Sequence, residues 1–246
     1  MSILLLTATA MEGDRIAAAF ERAIEQTIAG RRWLSGVLHG TSTLLVEGGL
    51  GAVNTAHALT RALELSQPDL VLQVGVGGAY DGSGLAIGDI ALSKDDSFAD
   101  LGVTTPSGWQ GAEAIGIPVL TGAADYYNTY PCDGPRTEQA HHLLSSHLEV
   151  GVAVGPFATV QEVSGTAALG EQRCGRIPGA ICESMEGAAA AQLCALYHVD
   201  FVQLRAISNA VEDRDRSRWN LSLACEGAQR AVMLLLAEWG QRDGQK

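Results

Sequence analysis

Four polar side chains of this sequence lie within or beside apolar segments, where a buried charge or amide needs a hydrogen-bonding or charged partner. Glu12 lies in TATAMEGD, Glu186 in ESMEGAA, and Arg205 and Asn209 in FVQLRAISNA. Burying a charge is costly unless it is paired, so Arg205 needs a carboxylate partner, and Glu12 and Glu186 are the candidates. Two acids and one arginine that converge can orient a water molecule and accept its proton.

Each of these residues also has an ordinary structural interpretation. Glu12 or Glu186 could interact favourably with the dipole of a helix that starts beside it. Arg205 could be an internal ion-pair partner, and Asn209 could cap a turn. The ordinary interpretation is favoured for any single one of them, and the combination of all four favours a catalytic site.

The elements that must position these residues alternate between apolar strands and helices. This alternation predicts an α/β fold with a largely covered sheet. The predicted strands cover residues 2–9, 70–76 and 199–208, and the predicted helices cover 13–27, 53–66 and a segment that starts near Glu186.

The middle of the chain predicts antiparallel pairing as well. Residues 30–49 are typical of two strands joined by a turn at Gly40–Thr41, so the sheet is expected to be mixed. A long loop is expected between Asp100 and Pro118, and residues 219–240 predict a closing amphipathic helix. We expect a single domain over 1–246, with a central mixed twisted sheet flanked by helices.

Composition excludes several classes of function. Apolar residues make up 47% of the chain and charged residues 18%, which favours a globular protein with a sizeable core. The net charge of -12 argues against a nucleic-acid partner. No signal peptide or bilayer-spanning segment is expected, and the five scattered cysteines indicate a reduced, cytoplasmic protein. Histidine spacing predicts no metal site, and we expect no cofactor.

Six segments of the chain resemble the purine nucleoside phosphorylase and nucleosidase superfamily in order and spacing. They are TATAMEGD, GGLGAVNTAHA, PDLVLQVGVGGAY, IGDIALS, ESMEGAAAAQLC and FVQLRAIS. The general pattern is similar to methylthioadenosine/S-adenosylhomocysteine nucleosidases. The resemblance implies that Glu12 is the general base and that Arg205 positions the attacking water.

The same resemblance implies the residues that bind a nucleoside. Met185 would pack under the ribose, and Glu186 would accept hydrogen bonds from the ribose 2′- and 3′-hydroxyls. Gly77 and Gly78 would supply the backbone that lies against the base, and Leu50 an apolar wall.

Two departures from the adenine-specific members change the expected substrate. Asn209 stands where those enzymes carry an aspartate that protonates N7, and Ser184 stands where they usually have another glutamate. An amide can accept from N7–H and donate to a 6-oxo group, so Asn209 points to a hypoxanthine or guanine leaving group. Phosphorylases need arginines in the early loops to bind phosphate. No arginine lies between Thr7 and Glu12, Val76 stands where a serine that binds phosphate or water would be expected, and Arg15 belongs to the predicted helix. Water is therefore the expected nucleophile.

Residues 155–166 and 206–220 resemble the futalosine hydrolase subfamily specifically. That resemblance implies hydrolysis of futalosine to hypoxanthine and dehypoxanthine futalosine in menaquinone biosynthesis. Val160, within the first segment, is taken as substrate-binding. A 5′ carboxyphenyl group would need a cationic partner, with Arg214 favoured over Arg216 and Arg218; the alternative is a solvated charged loop.

The superfamily forms dimers or larger assemblies in which a neighbouring subunit often covers the 5′ end of the substrate. We therefore expect a homo-oligomer, in which Trp109 either has this covering role or packs within its own loop. The open alternatives are a methylthioadenosine-type nucleosidase, a purine nucleoside phosphorylase and an inactive nucleoside-binding protein.

Overall fold

A computed structural model describes residues 1–122 and 124–243 of the chain. The strands are β1 Ser2–Thr7, β2 Glu21–Ile28, β3 Arg31–Leu38, β4 Thr41–Glu47, β5 Leu70–Ala79, β6 Ile90–Phe98, β7 Gly102–Thr105, β8 Gly108–Gly111, β9 Thr129–Pro131, β10 Val152–Thr159, β11 Cys182–Ser184 and β12 Asp200–Ala210. The α-helices are α1 Asp14–Ala18, α2 Ala52–Ser66, α3 Pro135–His147, α4 Ala167–Arg176, α5 Gly187–Tyr197 and α6 Leu221–Asp243. Within this described part of the chain, no helix combines the length and apolar character that a bilayer span requires.

The large sheet is mixed, as the sequence predicts. Its strand order is β11-β10-β6-β12-β5-β1-β4-β3-β2, with β9 paired to β6. The central strands β12, β5, β1 and β4 run parallel, whereas β3 and β2 are antiparallel to their neighbours. The short strand β11 also pairs with β5, so strands β5, β12, β6, β10 and β11 close into a ring. The α/β fold with a central mixed sheet is confirmed.

Helices cover both faces of the central strands, which explains their continuous apolar sequences. On one face Leu72 and Leu204 pack in a cluster that contains Leu235 of helix α6. On the other face Val71 and Phe201 pack with residues of α2 and α5. Because side chains alternate along a strand, Arg205 points to the α2 and α5 side together with Phe201. The charged group therefore lies inside the molecule.

Two predicted elements differ from the structure. The predicted helix over residues 13–27 ends at Ala18, and β2 follows it. Strand β2 is an edge strand paired with β3, and its residues from Glu21 to Thr27 are exposed, so no buried face reveals it in the sequence. The expected loop after Asp100 contains the β7–β8 hairpin, whose turn ends at Gly108 with φ +115°.

The start of helix α5 is fixed by close packing against a buried carboxylate. Ala188 N donates to Thr159 Oγ1 at 2.8 Å, and Thr159 Oγ1 donates to Asp96 Oδ1 at 2.8 Å. A Cβ on Gly187 would overlap Asp96 Oδ2 and the side-chain amide of Gln203. Gly187 therefore allows the helix to begin directly against the sheet, and this contact determines where the preceding residue, Glu186, is held.

Replacing Gly187 by alanine should destabilise the fold, because the new methyl group has no room against these two rigid buried groups. Overpacking of this kind costs about 1–3 kcal/mol, which urea denaturation should detect. The matched control is Gly175→Ala in α4, where a Cβ meets nothing within 4 Å. That variant should be neutral or more stable by up to about 1 kcal/mol. Equal stability of the two variants would contradict this account of the α5 start.

Candidate active site

A cavity of about 710 Å³ opens where β5 and β12 end. Ligands commonly bind at the carboxyl ends of strands in α/β sheets. Nine of the residues proposed from the sequence line this cavity: Glu12, Leu50, Gly77, Gly78, Met185, Glu186, Arg205, Asn209 and Arg214. The fold thus brings together residues that are spread over more than two hundred positions of the chain.

Glu12 is buried in a short 3-10 turn, Ala10–Glu12, directly after β1. Its Oε2 accepts hydrogen bonds from Ala8 N at 3.1 Å, Thr9 N at 2.9 Å and Thr9 Oγ1 at 3.1 Å. Its Oε1 accepts from Val76 N at 3.2 Å. These donors fix the carboxylate in one orientation, and Oε1 keeps capacity for one further donor on the cavity side.

Opposing influences set the pKa of the Glu12 carboxyl group. Burial raises the pKa of its carboxyl above the ordinary value, Arg205 lowers this pKa, and Glu186 raises it. The net direction is upward. A carboxylate with a raised pKa is a better proton acceptor near neutral pH than an ordinary surface glutamate.

Arg205 forms a buried ion pair with Glu186 rather than with Glu12. Its Nη1 lies 3.2 Å from Glu186 Oε2, and the side chains are 2% and 4% exposed. The other oxygen of Glu186 accepts from Gly51 N at 2.9 Å. Glu186 occupies the N-cap position of α5, but its carboxylate makes no cap hydrogen bond, so the helix-dipole interpretation does not explain its contacts.

Arg205 keeps donors for another group. Its Nε and Nη2 have no hydrogen-bond partner among the described residues. A Cβ on Gly75 would lie 2.6 Å from Glu12 Oε1 and 2.7 Å from Arg205 Nη1, so carboxylate and guanidinium face each other across this glycine. Nη1, the donor that faces Glu12, also pairs with Glu186, so this one nitrogen lies between the two carboxylates.

Asn209 lies half-buried beside Gly78. A Cβ on Gly78 would lie 3.2 Å from Asn209 Nδ2. The amide donates to Ala210 O at 2.9 Å and accepts from Ser208 Oγ at 2.8 Å. These local bonds fit the turn interpretation, yet they also hold the amide at the cavity wall.

Met185 and Leu50 form apolar parts of the wall, whereas Val160 lies behind it. Met185 packs against a buried cluster that includes Tyr80 and Val160. Leu50 is 59% exposed at the rim. Val160 is fully buried in that cluster, and its N–H donates to Ser184 O. The structure thus places Val160 as support for Met185 and not as a wall residue.

Among the three arginines proposed for the 5′ group, the cavity lining includes Arg214. Its guanidinium carbon lies 4.6 Å from the ring centroid of Trp219, which also lines the cavity. Arg218 instead pairs with Glu212 at 2.8 Å. Stacking on the indole holds the Arg214 cation at one side of the opening.

Trp109 lies on strand β8, away from this cavity in its own chain. The guanidinium carbon of Arg176 lies 4.3 Å from its ring centroid, and both residues line a separate groove. This contact within the same chain supports the alternative in which Trp109 has an ordinary packing role.

Sequence reasoning missed Glu183, although it belongs to the same short segment as Glu186. Glu183 is buried and lines the cavity. It accepts from Tyr80 OH at 2.9 Å, from Ser164 N at 2.8 Å and from Ser164 Oγ at 2.5 Å. The signal available in the sequence was a carboxylate that directly follows the apolar run Ala180–Cys182.

Among the described residues, no cluster of three or more His, Cys, Asp or Glu side chains could hold a metal ion. The basic residues that line the cavity are Arg205 and Arg214. Arg15 belongs to α1 and pairs with Glu226 at 2.6 Å outside the cavity lining.

The chain matches known proteins over nearly its whole length. A family model described as "Phosphorylase superfamily" matches residues 2–237. A futalosine hydrolase of Thermus thermophilus is 35% identical over 82% of this chain and 85% of its own length. A 5'-methylthioadenosine/S-adenosylhomocysteine nucleosidase of Chromohalobacter salexigens is 31% identical over 84% of this chain and 83% of its own length.

The fold has close counterparts among solved structures. The 5'-methylthioadenosine/S-adenosylhomocysteine nucleosidase of Neisseria meningitidis, in complex with methylthio-immucillin-A, superposes with a TM-score of 0.84 at 20% identity. The superposition covers 96% of this chain and 99% of that one. This likeness shows the fold, and the family match over residues 2–237 shows that this chain belongs to the phosphorylase superfamily.

Proposed function

We propose that this protein hydrolyses the N-glycosidic bond of futalosine and releases hypoxanthine and dehypoxanthine futalosine, a step of menaquinone biosynthesis. The observation that carries the proposal is an amide, Asn209, and a proton-accepting carboxylate, Glu12, on the wall of one cavity. Similarity to futalosine hydrolases supports this choice of substrate.

Glu12 and Arg205 activate the water in this mechanism. Arg205 orients the water oxygen, and Glu12 Oε1, which faces the guanidinium across Gly75, accepts one of its protons. The C1′–N9 bond breaks with its electron pair passing to the purine, and the water oxygen then bonds to C1′ while its proton goes to Glu12. Positioning and charge stabilisation of this kind can contribute many kcal/mol to catalysis.

Glu186 and Met185 bind the sugar. The Glu186 carboxylate, which is paired with Arg205, accepts hydrogen bonds from the ribose hydroxyls, and Met185 packs against the ring. As the C1′–N9 bond breaks, N7 of the departing base takes a proton from solvent. Asn209 then binds the base: its carbonyl accepts from the new N7–H and its NH₂ donates to the 6-oxo group. Adenine would present its own amino group to that NH₂, and a mismatched buried hydrogen bond costs about 1–3 kcal/mol.

Water is preferred over phosphate as the nucleophile. A phosphate dianion needs several cationic donors, of which bidentate arginines are the strongest. Arg205 is already paired with Glu186, and Arg214 stacks on Trp219. Arg15, the basic residue that follows Glu12, is engaged with Glu226 outside the cavity lining.

The direct test is incubation of the purified protein with futalosine, with and without phosphate, followed by detection of free hypoxanthine. Hypoxanthine release without phosphate is the expected result. Strict dependence on phosphate would indicate a phosphorylase, and faster cleavage of methylthioadenosine would indicate an adenine-specific nucleosidase. Tight binding without cleavage would indicate an inactive nucleoside-binding protein.

Glu12→Gln should lower turnover by about 10²–10⁴-fold, because the amide cannot take the proton of the water. In the wild type, activity should rise with pH through the raised pKa of Glu12, since only the ionised carboxylate accepts a proton. The matched control is Glu226→Gln, a partly exposed carboxylate outside the cavity lining, which should leave turnover unchanged. Wild-type turnover in Glu12→Gln would remove Glu12 as the base.

Asn209→Asp should shift the preference from 6-oxopurine to adenine nucleosides. A protonated carboxyl group can donate its proton to N7, whereas an ionised carboxylate has no hydrogen to donate to the 6-oxo oxygen. The measurement is the ratio of kcat/KM for futalosine and methylthioadenosine in both proteins. We expect the ratio to fall by about 10- to 100-fold. An unchanged ratio would contradict the assignment of Asn209 to the leaving base.

Arg214 is proposed to bind the 5′ carboxylate of the substrate. Arg214→Ala should raise KM for futalosine by about tenfold or more with little change in kcat, because the contact is made equally in ground and transition states. KM for inosine, which lacks the carboxylate, should stay constant. Arg216→Ala, on the exposed turn outside the cavity lining, is the matched control. An equal rise of KM for both substrates would indicate a general structural effect, and no change for either would argue for the solvated-loop alternative.

We also propose that the protein acts as a homo-oligomer whose contact surface includes the cavity rim. Leu50 is 59% exposed there, and Val53, at the start of α2, is 81% exposed. Exposed apolar groups of this kind mark interaction surfaces. Light scattering should give a multiple of 25.7 kDa, and a monomer would contradict the proposal.

We place the protein in the cytoplasm, since all five cysteines are free.

A further inference from the structure

Helix α5 begins at a residue whose side chain does not cap it. Glu186 occupies the N-cap position, where a side chain ordinarily accepts a hydrogen bond from the second or third backbone N–H of the helix. The Glu186 carboxylate makes no such bond. Its backbone, at φ -129° and ψ -26°, also departs from the extended conformation that N-cap residues usually adopt. The first backbone donors of α5 therefore need acceptors from elsewhere in the fold.

One acceptor comes from strand β10. Thr159, the last residue of β10, accepts at 2.8 Å through its hydroxyl oxygen from Ala188 N, the second residue of α5. Both residues are fully buried. A buried N–H that loses its partner is costly, so this bond contributes to the position of the helix start. Thr159 Oγ1 thus caps α5 in place of the N-cap side chain.

Asp96 orients the Thr159 hydroxyl for this bond. The single hydrogen of the hydroxyl is donated to Asp96 Oδ1 at 2.8 Å, which leaves the oxygen lone pairs for Ala188 N. Burial raises the pKa of the Asp96 carboxyl group to about 7. Oδ1 can accept in the ionised form and in the neutral form whose proton is on Oδ2. The cap therefore persists in both protonation states.

The Glu186 carboxylate uses both of its oxygens away from its own helix. Oε2 lies 3.2 Å from Arg205 Nη1, and Oε1 accepts from Gly51 N at 2.9 Å. These contacts hold the carboxylate at the cavity wall. A helix N-terminus with unsatisfied N–H groups attracts a nearby carboxylate, and such a contact would compete with both of them. The bond from Ala188 to Thr159 removes part of that competition.

We infer that Thr159, oriented by Asp96, is a positioning residue that caps helix α5 in place of Glu186 and so keeps the Glu186 carboxylate directed at the ribose hydroxyls. Thr159 is not among the residues that line the cavity, so its effect reaches the substrate through Glu186. This inference rests on the proposed function, in which Glu186 binds the ribose.

Two substitutions separate the hydroxyl of Thr159 from its shape. Thr159→Val keeps the branched side chain and loses the hydroxyl, whereas Thr159→Ser keeps the hydroxyl and loses the methyl group. The measurement is the ratio of kcat/KM for futalosine to kcat/KM for 2′-deoxyfutalosine, which reports the hydrogen bond between Glu186 and the 2′-hydroxyl. This ratio should fall by about tenfold in Thr159→Val and stay within about twofold of the wild-type value in Thr159→Ser.

Amide hydrogen exchange measured by NMR tests the cap without any substrate. The reference amide is that of Leu204, in the middle of β12 between β5 and β6. In Thr159→Val, exchange at Ala188 should become about tenfold faster relative to exchange at Leu204, because the Ala188 amide has lost its acceptor. Thr159→Ser should keep the wild-type relation. An equal acceleration of both amides in Thr159→Val would indicate general destabilisation and would overturn the inference.

The outcomes separate this inference from the proposed function. A wild-type substrate ratio in Thr159→Val, or an equal loss in Thr159→Val and Thr159→Ser, would show that the hydroxyl does not position Glu186, and the proposed function would stand. If the wild type cleaves neither futalosine nor its 2′-deoxy analogue, the proposed function fails. The exchange rate of Ala188 then still decides whether Thr159 caps α5.

Discussion

The buried ion pair between Arg205 and Glu186 is the interaction on which the cavity depends. A guanidinium inside a covered sheet is tolerable only with a carboxylate beside it, and Glu186 supplies that carboxylate at 3.2 Å. Glu186 also accepts from Gly51 N at the start of α2. One pair of charges therefore fixes the end of β12, the start of α5 and the start of α2 relative to one another.

Two glycines make this arrangement possible by letting charged groups come close to backbone. Gly75 leaves room for Arg205 and Glu12 to face each other, and Gly187 lets α5 begin against Asp96. The carboxylates and the guanidinium at one side of the cavity and an amide at the other suit the glycosidic cleavage that we propose, in which positive charge develops on the ribose and negative charge on the base. The geometry of backbone contact thus sets the electrostatics.

The sequence predicts much of this site because its chemistry conflicts with its surroundings. An arginine in an apolar strand requires an acid, and both candidate acids do line the cavity with it. The sequence alone does not decide which acid pairs with Arg205, since that depends on strand register and on the position of Gly187. Glu183 escaped notice because β11 has three residues, too few to show alternation. Strand β2 escaped for a different reason: an exposed edge strand has no buried face to mark it.

The ring formed when β11 pairs back to β5 has a consequence for the outer boundary of the sheet. Closure satisfies the strand edge at that end, so in the described part of the chain the unpaired backbone edges of the large sheet belong to the three-residue strand β9 and to the longer strand β2. That strand has Arg22 at φ 52° within a register shift, and it carries charged side chains at Glu21, Arg22 and Glu25. A bulged and charged border is a poor template for a foreign strand. Strand β2, the strand with the weakest hydrophobic pattern, therefore also protects this edge of the sheet against aggregation.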